Sequence, residues 1–420
     1  MFFRSFFLSA ISVAFKMLAL LGINKVLAVY GGPAGLALVG NFQNLMQIAT
    51  AFASGAVTNG VTKYTSENLN DPGRLKYVWC TGVSLVMVVA IPNALIALAL
   101  AIWSPVLLSA GVVKPLIYII FAASIILFSF NALLLAILNG LGDVKRYVVA
   151  NVLGSILSLL LTWLLASFYG LQGALMALAS YQGVALAGTL LICKRQTWFK
   201  FGNFLGLGQL SILSGFLRLA LISLVSAFCV PVAHIFIREI INSQLGIDAA
   251  GIWDATWRLS AAFLLFITSA LVVYVLPKFS SVTDDGMLWK EFLGISKKAL
   301  MLAASIAVFV YLARGLIVPL LFTTDFAPVT DLLFWQLVGD VLKVFGWLLS
   351  YAAISRLYYG VCIFSEIFYN ALFVFFVHVL VSRFGLNGAV YAHCISYIFY
   401  TGLMYLLVRR RLLKGQGSER

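Results

Sequence analysis

The sequence predicts an all-α polytopic membrane protein with about twelve transmembrane helices in two six-helix lobes related by a parallel pseudo-two-fold. Of its 420 residues, 63% are hydrophobic and only 10% are charged, and the mean hydropathy is +1.05. A typical soluble domain has about 25% charged residues, so this composition is that of a chain surrounded by lipid. Apolar runs of spanning length and an internal repeat support the same fold class.

Twelve apolar runs are long enough to cross a bilayer, which takes about 20 residues of helix. Turn residues separate them, as in Asp71-Pro72-Gly73 and Gly140-Leu141-Gly142-Asp143. The first run lacks a small-residue cleavage site, so we predict an uncleaved helix there. In chain order, the predicted spans are 5–29, 36–64, 76–102, 115–139, 147–169, 172–193, 211–241, 250–276, 296–321, 329–353, 358–381 and 387–408.

The two halves of the chain resemble each other at a constant offset. FYGLQGAL at 168–175 is similar to RFGLNGAV at 383–390, so that Gly170 corresponds to Gly385 at 385 − 170 = 215 residues. Six helices separate the copies, so both have the same orientation in the membrane, which makes this a parallel duplication. The predicted organisation is an N-terminal lobe at 1–193, a cytoplasmic linker at 194–210 and a C-terminal lobe at 211–420 with a basic cytoplasmic tail.

The chain is basic, with 28 Lys and Arg against 14 Asp and Glu and a formal charge of +14. Most of this excess falls in the loops of one side, so the positive-inside rule places both termini in the cytoplasm. The basic residues near the ends of helices, Lys25, Lys63, Arg238 and Arg314, are expected to reach the headgroups. With the excess explained in this way and no RNA or DNA motif present, we expect no nucleic-acid partner.

Ionisable residues inside a span are costly and indicate a functional site. The segment FWQLVGDVLKV at 334–344 carries Asp340 and Lys343 three residues apart, on one helical face. The pair could line a water-filled cavity, or the two residues could neutralise each other. Arg218 lies about two turns into its span. At that depth its side chain could either reach the headgroups or line a cavity.

The eighth predicted span carries Asp254 and Arg258 at i, i+4, which suits either a structural ion pair or a cavity wall. Glu366 in the eleventh span could be a proton or sodium site, or a partner for a lysine. Polar residues that recur along one face of a membrane helix need water or a polar partner. Together with Lys16, which ends a polar stripe on the first span, these residues predict a hydrated cavity between two bundles, with four basic and three acidic side chains.

The sequence contains no phosphate-binding G-x-x-x-x-G-K-[ST] loop, no H-E-x-x-H, no Cys/His cluster and no nucleophile elbow. We therefore predict a transporter that needs no cofactor or metal, and not an enzyme. Short non-cytoplasmic loops disfavour a membrane glycosyltransferase or polymerase. A cation-coupled drug exporter of the same fold is a further alternative, which the basic excess disfavours.

Several segments resemble the Wzx-type lipid-linked oligosaccharide flippases, from the polysaccharide branch of the multidrug/oligosaccharidyl-lipid/polysaccharide exporter superfamily. They are AVYGGPAGLALVGNFQNL (28–45), GAVTNGVTKYT (55–65), PVAHIFIRE (231–239), GIWDATWRLSAAFLLFITSALVVYVLPKFS (251–280) and FWQLVGDVLKVFGW (334–347). The resemblance implies two six-helix lobes that work by alternating access. It also implies a substrate, an undecaprenyl-diphosphate-linked oligosaccharide of the common-antigen or O-antigen type, moved from the cytoplasmic to the periplasmic leaflet of the bacterial inner membrane.

This substrate assigns expected roles to the polar residues of the spans. A diphosphate needs basic partners at low dielectric, and the candidates are Lys16, Lys63, Arg218, Arg258 and Lys343. Sugar hydroxyls need amides, and the candidates are Asn41, Asn44, Gln47 and Asn59. The acidic residues that could couple an ion or balance charge are Asp254, Asp340 and Glu366. The expected partners are membrane lipids and, in the same pathway, a polymerase and a chain-length regulator.

Overall fold

The computed structural model describes residues 2–107, 113–204, 206, 210–282 and 284–415. Within these ranges the regular structure is entirely helical, as the sequence predicts. The helices are α1 (Phe2–Glu67), α2 (Pro72–Leu107), α3 (Pro115–Gly140), α4 (Val144–Cys193), α5 (Leu210–Leu245), α6 (Ile247–Ala270), α7 (Leu276–Ser281), α8 (Asp285–Leu312), α9 (Arg314–Leu321), α10 (Val329–Ser355), α11 (Tyr359–Phe384) and α12 (Asn387–Gly415).

Eight helices in the described part of the chain are long and apolar enough to cross a membrane. Two of these eight are too long for one crossing. The 50 residues of α4 would extend about 75 Å as a straight helix, against a hydrocarbon core of about 30 Å. Helices α1 and α4 each contain two of the twelve predicted spans, so the polytopic all-α fold class is confirmed.

Glycines in a left-handed backbone conformation break the long helices where the sequence predicts turns. Gly32 (φ 59°, ψ −170°) interrupts α1, and Gly170 (φ 56°, ψ −135°) interrupts α4. Gly385 (φ 58°, ψ −146°) separates α11 from α12, and it corresponds to Gly170 at the repeat offset. Side chains rarely adopt positive φ, because the Cβ atom meets the backbone, and glycine avoids that cost.

Close backbone contacts follow the same repeat. A Cβ atom at Gly173 would lie 1.8 Å from the carbonyl oxygen of Leu165, and one at Gly388 would lie 2.2 Å from that of Leu380. Both members of each pair are shifted by 215 residues (388 − 173 and 380 − 165). The internal repeat is therefore present in the backbone of both halves as well as in the sequence.

The chain forms two compact units. Unit 1 contains Met1–Tyr30 and Phe42–Pro231, and unit 2 contains Gly31–Asn41 and Val232–Arg420. The start of the second predicted span thus belongs to the C-terminal unit. Each unit is a set of residues that contact one another, whereas the predicted lobes at 1–193 and 211–420 are defined by the sequence repeat. The lobe boundaries therefore stay a prediction.

In unit 1, the segment after α4 is fixed by aromatic contacts. The ring of Trp198 lies 5.6 Å from that of Trp79 on α2, and the ring of Phe204 stacks on Trp79 at 6.0 Å. The indole nitrogen of Trp79 in turn donates a hydrogen bond to Thr65 Oγ1 at 3.2 Å. The described start of the predicted linker is therefore packed against unit 1.

Replacing Gly388 by alanine is expected to destabilise the protein by about 1–3 kcal/mol, the usual cost of overpacking. The added methyl group would meet a backbone carbonyl, which cannot rotate away as a flexible side chain can. Thermal unfolding of the detergent-solubilised protein measures the effect. Gly402→Ala on α12 is the matched control, because no atom lies within 4 Å of its added Cβ. Equal melting temperatures for the two variants would contradict the prediction.

Candidate functional site

Helix α6 supplies the centre of a polar cluster in unit 2. It begins after Gly246, whose φ of 90° ends α5 and lets the chain reverse. Asp254, Trp257 and Arg258 lie at i, i+3 and i+4, so the three side chains share one face. Ser260 follows half a turn later. This spacing places an acid, a base and a large aromatic ring side by side.

The carboxylate of Asp254 binds two arginines. Arg238 on α5 donates from Nε and Nη2 to Asp254 Oδ1 at 3.0 and 2.8 Å. Arg258 donates from Nε to Asp254 Oδ2 at 2.6 Å. The side chains of Arg238, Asp254 and Arg258 are 3%, 5% and 10% exposed. Two buried cations thus share one anion.

The expectation that Arg238 reaches the headgroups is wrong. Its guanidinium is buried, with Asp254 on one side and the Asn41 side-chain oxygen, which accepts from Nη1 at 2.7 Å, on the other. These partners compensate for the loss of water, so Arg238 has no need to extend to the surface. The contact also ties Asn41, at the end of the Gly31–Asn41 segment, to the rest of unit 2.

Asp340 on α10 is fully buried within a second group of polar residues. Ser260 donates to Asp340 Oδ2 at 2.6 Å, and Gln336 Nε2 donates to Oδ1 at 3.4 Å. His393 Nε2 on α12 lies 3.2 Å from Oδ1, and Tyr369 Oη lies 3.4 Å from His393 Nδ1. This group joins α6, α10, α11 and α12 through polar side chains.

Lys343 is half-buried among aromatic rings. Its ammonium lies 4.6 Å from the ring centre of Trp257, 5.2 Å from that of Trp347 and 5.8 Å from that of Tyr397. Such distances favour cation–π attraction. Among the described residues no ion pair joins Lys343 to Asp340 directly, although the carboxylates of Asp340 and Glu366 both attract the lysine through space.

The structure brings half of the predicted site residues together in unit 2. They are Asn41, Asp254, Arg258, Asp340, Lys343 and Glu366. The others belong to unit 1. There, Lys16 and Gln47 are exposed, Asn44 is buried, and Lys63 is exposed and pairs with Glu67 at 3.9 Å. The side chains of Arg218 and Asn59 lie outside the described residues. The predicted cavity and the roles of these residues stay predictions.

The sequence reasoning missed several members of the cluster. They are Arg238, Trp257, Ser260, Gln336, Tyr369 and His393. For Trp257 a signal exists, because it lies between Asp254 and Arg258 on the same helical face. For His393 there is none, since a single histidine in an apolar span resembles an ordinary packed residue.

No family model matches the sequence. The chain is 32% identical over 413 residues to the lipid III flippase of Escherichia coli (strain K12), covering 96% of this chain and 98% of that protein. The lipid III flippase of Shigella flexneri gives the same values. The chain belongs to the family of these flippases. It is therefore a transporter and a multi-pass membrane protein, as predicted from the sequence.

Solved structures support the fold of this flippase. A multidrug resistance MATE family transporter of the MOP superfamily, in its inward-facing conformation, superposes with a TM-score of 0.81 at 19% identity, covering 96% of both chains. An outward-facing conformation of such a transporter gives a TM-score of 0.64 at 20% identity, again with 96% coverage of both. At these identities the likeness is one of fold.

Removing the charge of Asp254 by Asp254→Asn is expected to destabilise the flippase by about 3–5 kcal/mol, the usual cost of breaking a buried ion pair. Two buried guanidinium groups would then lose their shared anion. The melting temperature of the solubilised protein measures the loss. The control is Asp331→Asn, in which an exposed acid on α10 changes in the same way. A melting temperature as high as that of the control would show that the arginines do not depend on Asp254.

Proposed function

We propose that this flippase moves an undecaprenyl-diphosphate-linked oligosaccharide from the cytoplasmic to the periplasmic leaflet of the bacterial inner membrane. The observation that carries the proposal is the buried Arg238–Asp254–Arg258 group, which places two guanidinium groups and a carboxylate among the helices of unit 2. Ionisable groups inside a membrane protein are costly and mark a functional site by default, and guanidinium groups suit an anionic substrate. The lipid III flippases, whose name states a lipid substrate, support it.

A diphosphate headgroup fits this chemistry. Arginine donates two parallel hydrogen bonds to a phosphate, and such bonds strengthen where water is excluded. Arg258 donates from Nε to Asp254, which fixes the position of its guanidinium group. Lys343 adds a second cation, held by the rings of Trp257, Trp347 and Tyr397. The remaining proposed phosphate ligands are Lys16, Lys63 and Arg218.

The proposal extends to the sugars and to the membrane. Amides recognise hydroxyl groups by donating and accepting at once, and the proposed sugar ligands are Asn41, Asn44, Gln47 and Asn59. We further propose that the protein is of the Wzx type, carries a common-antigen or O-antigen repeat unit, and has both termini in the cytoplasm. A reporter fused after Arg420 tests the orientation, because a signal from the periplasm would contradict it.

A cation-coupled exporter is a second candidate function. The observation that favours it is the fully buried Asp340, hydrogen-bonded to Ser260 and close to His393. Asp254, Asp340 and Glu366 would then couple an ion or balance charge. Drug resistance conferred on a sensitive strain, with no rescue of glycan export, would favour this candidate over the flippase of oligosaccharides.

Replacing Lys343 by methionine is expected to lower surface glycan by at least about tenfold, since losing one charged partner of a desolvated anion costs about 2–5 kcal/mol. Lipid-linked sugar should accumulate because its synthesis continues. The measurement is complementation of a defined flippase-null strain, with surface glycan and lipid-linked sugar quantified at equal protein level.

The matched control is Lys290→Met, which removes an exposed lysine from α8. Arg258→Gln and Arg218→Gln extend the test to the two arginines of the predicted site. If all three site variants support as much surface glycan as the control, the proposal that these bases bind the diphosphate is wrong.

A further inference from the structure

A second basic site lies in unit 1 and shares no residue with the cluster around Asp254. It is a pocket of about 540 Å³ in which three bases lie with two aliphatic residues and one amide. The residues that line it are Arg146, Leu191, Ile192, Lys194, Arg195 and Gln196. Arg146 belongs to the first turn of α4, and Lys194 follows its last residue. The two ends of one long helix therefore meet at this pocket.

The positive charge of this pocket is only partly neutralised. Arg146 forms an ion pair with Asp143, which also caps the start of α4 by accepting from the backbone N–H of Arg146 at 3.2 Å. Among the described residues no ion pair engages Lys194 or Arg195, and both are exposed. Two carbonyl groups at the end of α4 are occupied, since Lys194 N–H donates to Leu190 O and Gln196 N–H donates to Cys193 O, both at 2.8 Å. The pocket thus offers cationic donors to an anion.

The surroundings of the pocket place it at a membrane boundary. Leu191 and Ile192 lie in the last turn of a spanning helix that ends at Cys193, and Leu191 is 58% exposed. Trp198 and Phe199 follow six and seven residues after Ile192, and Trp198 is held against Trp79. Aromatic residues of this kind favour the interface between hydrocarbon and headgroups. A ligand that fits has an apolar chain as well as a negative charge.

We propose that this pocket binds the phosphate of an anionic phospholipid, with Arg146, Lys194 and Arg195 around the headgroup and Leu191 and Ile192 against the start of an acyl chain. Basic pockets between spanning helices at the cytoplasmic side commonly hold such headgroups. The pocket lies on the side that the positive-inside rule predicts to be cytoplasmic. This lipid site is independent of the transport proposal, because it uses none of the residues proposed to bind the substrate.

Native mass spectrometry of the full-length protein, with cardiolipin as the probe and phosphatidylcholine as the neutral lipid, tests the proposal. The pocket variant is Arg146→Gln combined with Lys194→Gln and Arg195→Gln. We expect each lost base to weaken cardiolipin binding roughly fivefold, and phosphatidylcholine binding to stay unchanged. The matched control removes three exposed bases that do not line the pocket, Lys76, Lys145 and Lys200, and so changes the net charge equally.

The melting temperature of each variant shows whether it is folded, and the single variants replace the triple variant if that one unfolds. Equal cardiolipin affinities for the pocket and control variants would overturn the proposal, because the effect would then be one of net charge. Competition by soluble pyrophosphate as strong as that by cardiolipin would also overturn it, since the site would then recognise a free anion and not a lipid.

Discussion

The carboxylate of Asp254 is the contact on which the C-terminal unit depends. It binds Arg238 from one helix and Arg258 from its own, and Arg238 reaches on to Asn41, 197 residues earlier in the chain. A buried guanidinium is stable only when its donors are satisfied. The backbone adapts to this group at Gly40, where a Cβ would lie 2.7 Å from Asp254 Oδ1. The ion group and the segment that carries Gly40 therefore stabilise each other.

Aromatic rings connect this group to the second polar centre. Trp257 contacts His234 at 4.4 Å, His393 at 5.1 Å and the Lys343 ammonium at 4.6 Å between centres. A ring of this size excludes water while its face still stabilises a cation. Trp257, on the same helix as Asp254, thus packs against His393, the neighbour of Asp340.

The sequence predicts the fold well because the features that define it are local. A run of apolar residues marks a span. Gly170 and Gly385, which both have a positive φ, lie in a short motif that occurs twice in the sequence. A contact between Asp254 and Arg258 can be predicted for the same reason, because the two residues are one helical turn apart. Arg238 is missed since its partners lie 16 and 197 residues away, and nothing near Arg238 in the sequence indicates them.

Lys343 illustrates the same limit. Its distance of three residues from Asp340 leaves a cavity wall and a direct pair both open. In the structure, Asp340 contacts Ser260 and His393, 80 and 53 residues away, and Lys343 contacts rings from α6 and α12. Which of several polar neighbours a side chain selects is decided by packing between helices. The sequence supplies the groups and their depth, and the tertiary fold decides their pairing.

The break of α4 at Gly170 has a consequence for charge. Each half of α4 is long enough to cross the membrane once, so Gly170 lies at the opposite boundary from Arg146 and Lys194. A straight helix would hold those two bases on opposite sides of the bilayer. A single backbone torsion at one face of the membrane thereby brings two bases together at the other face.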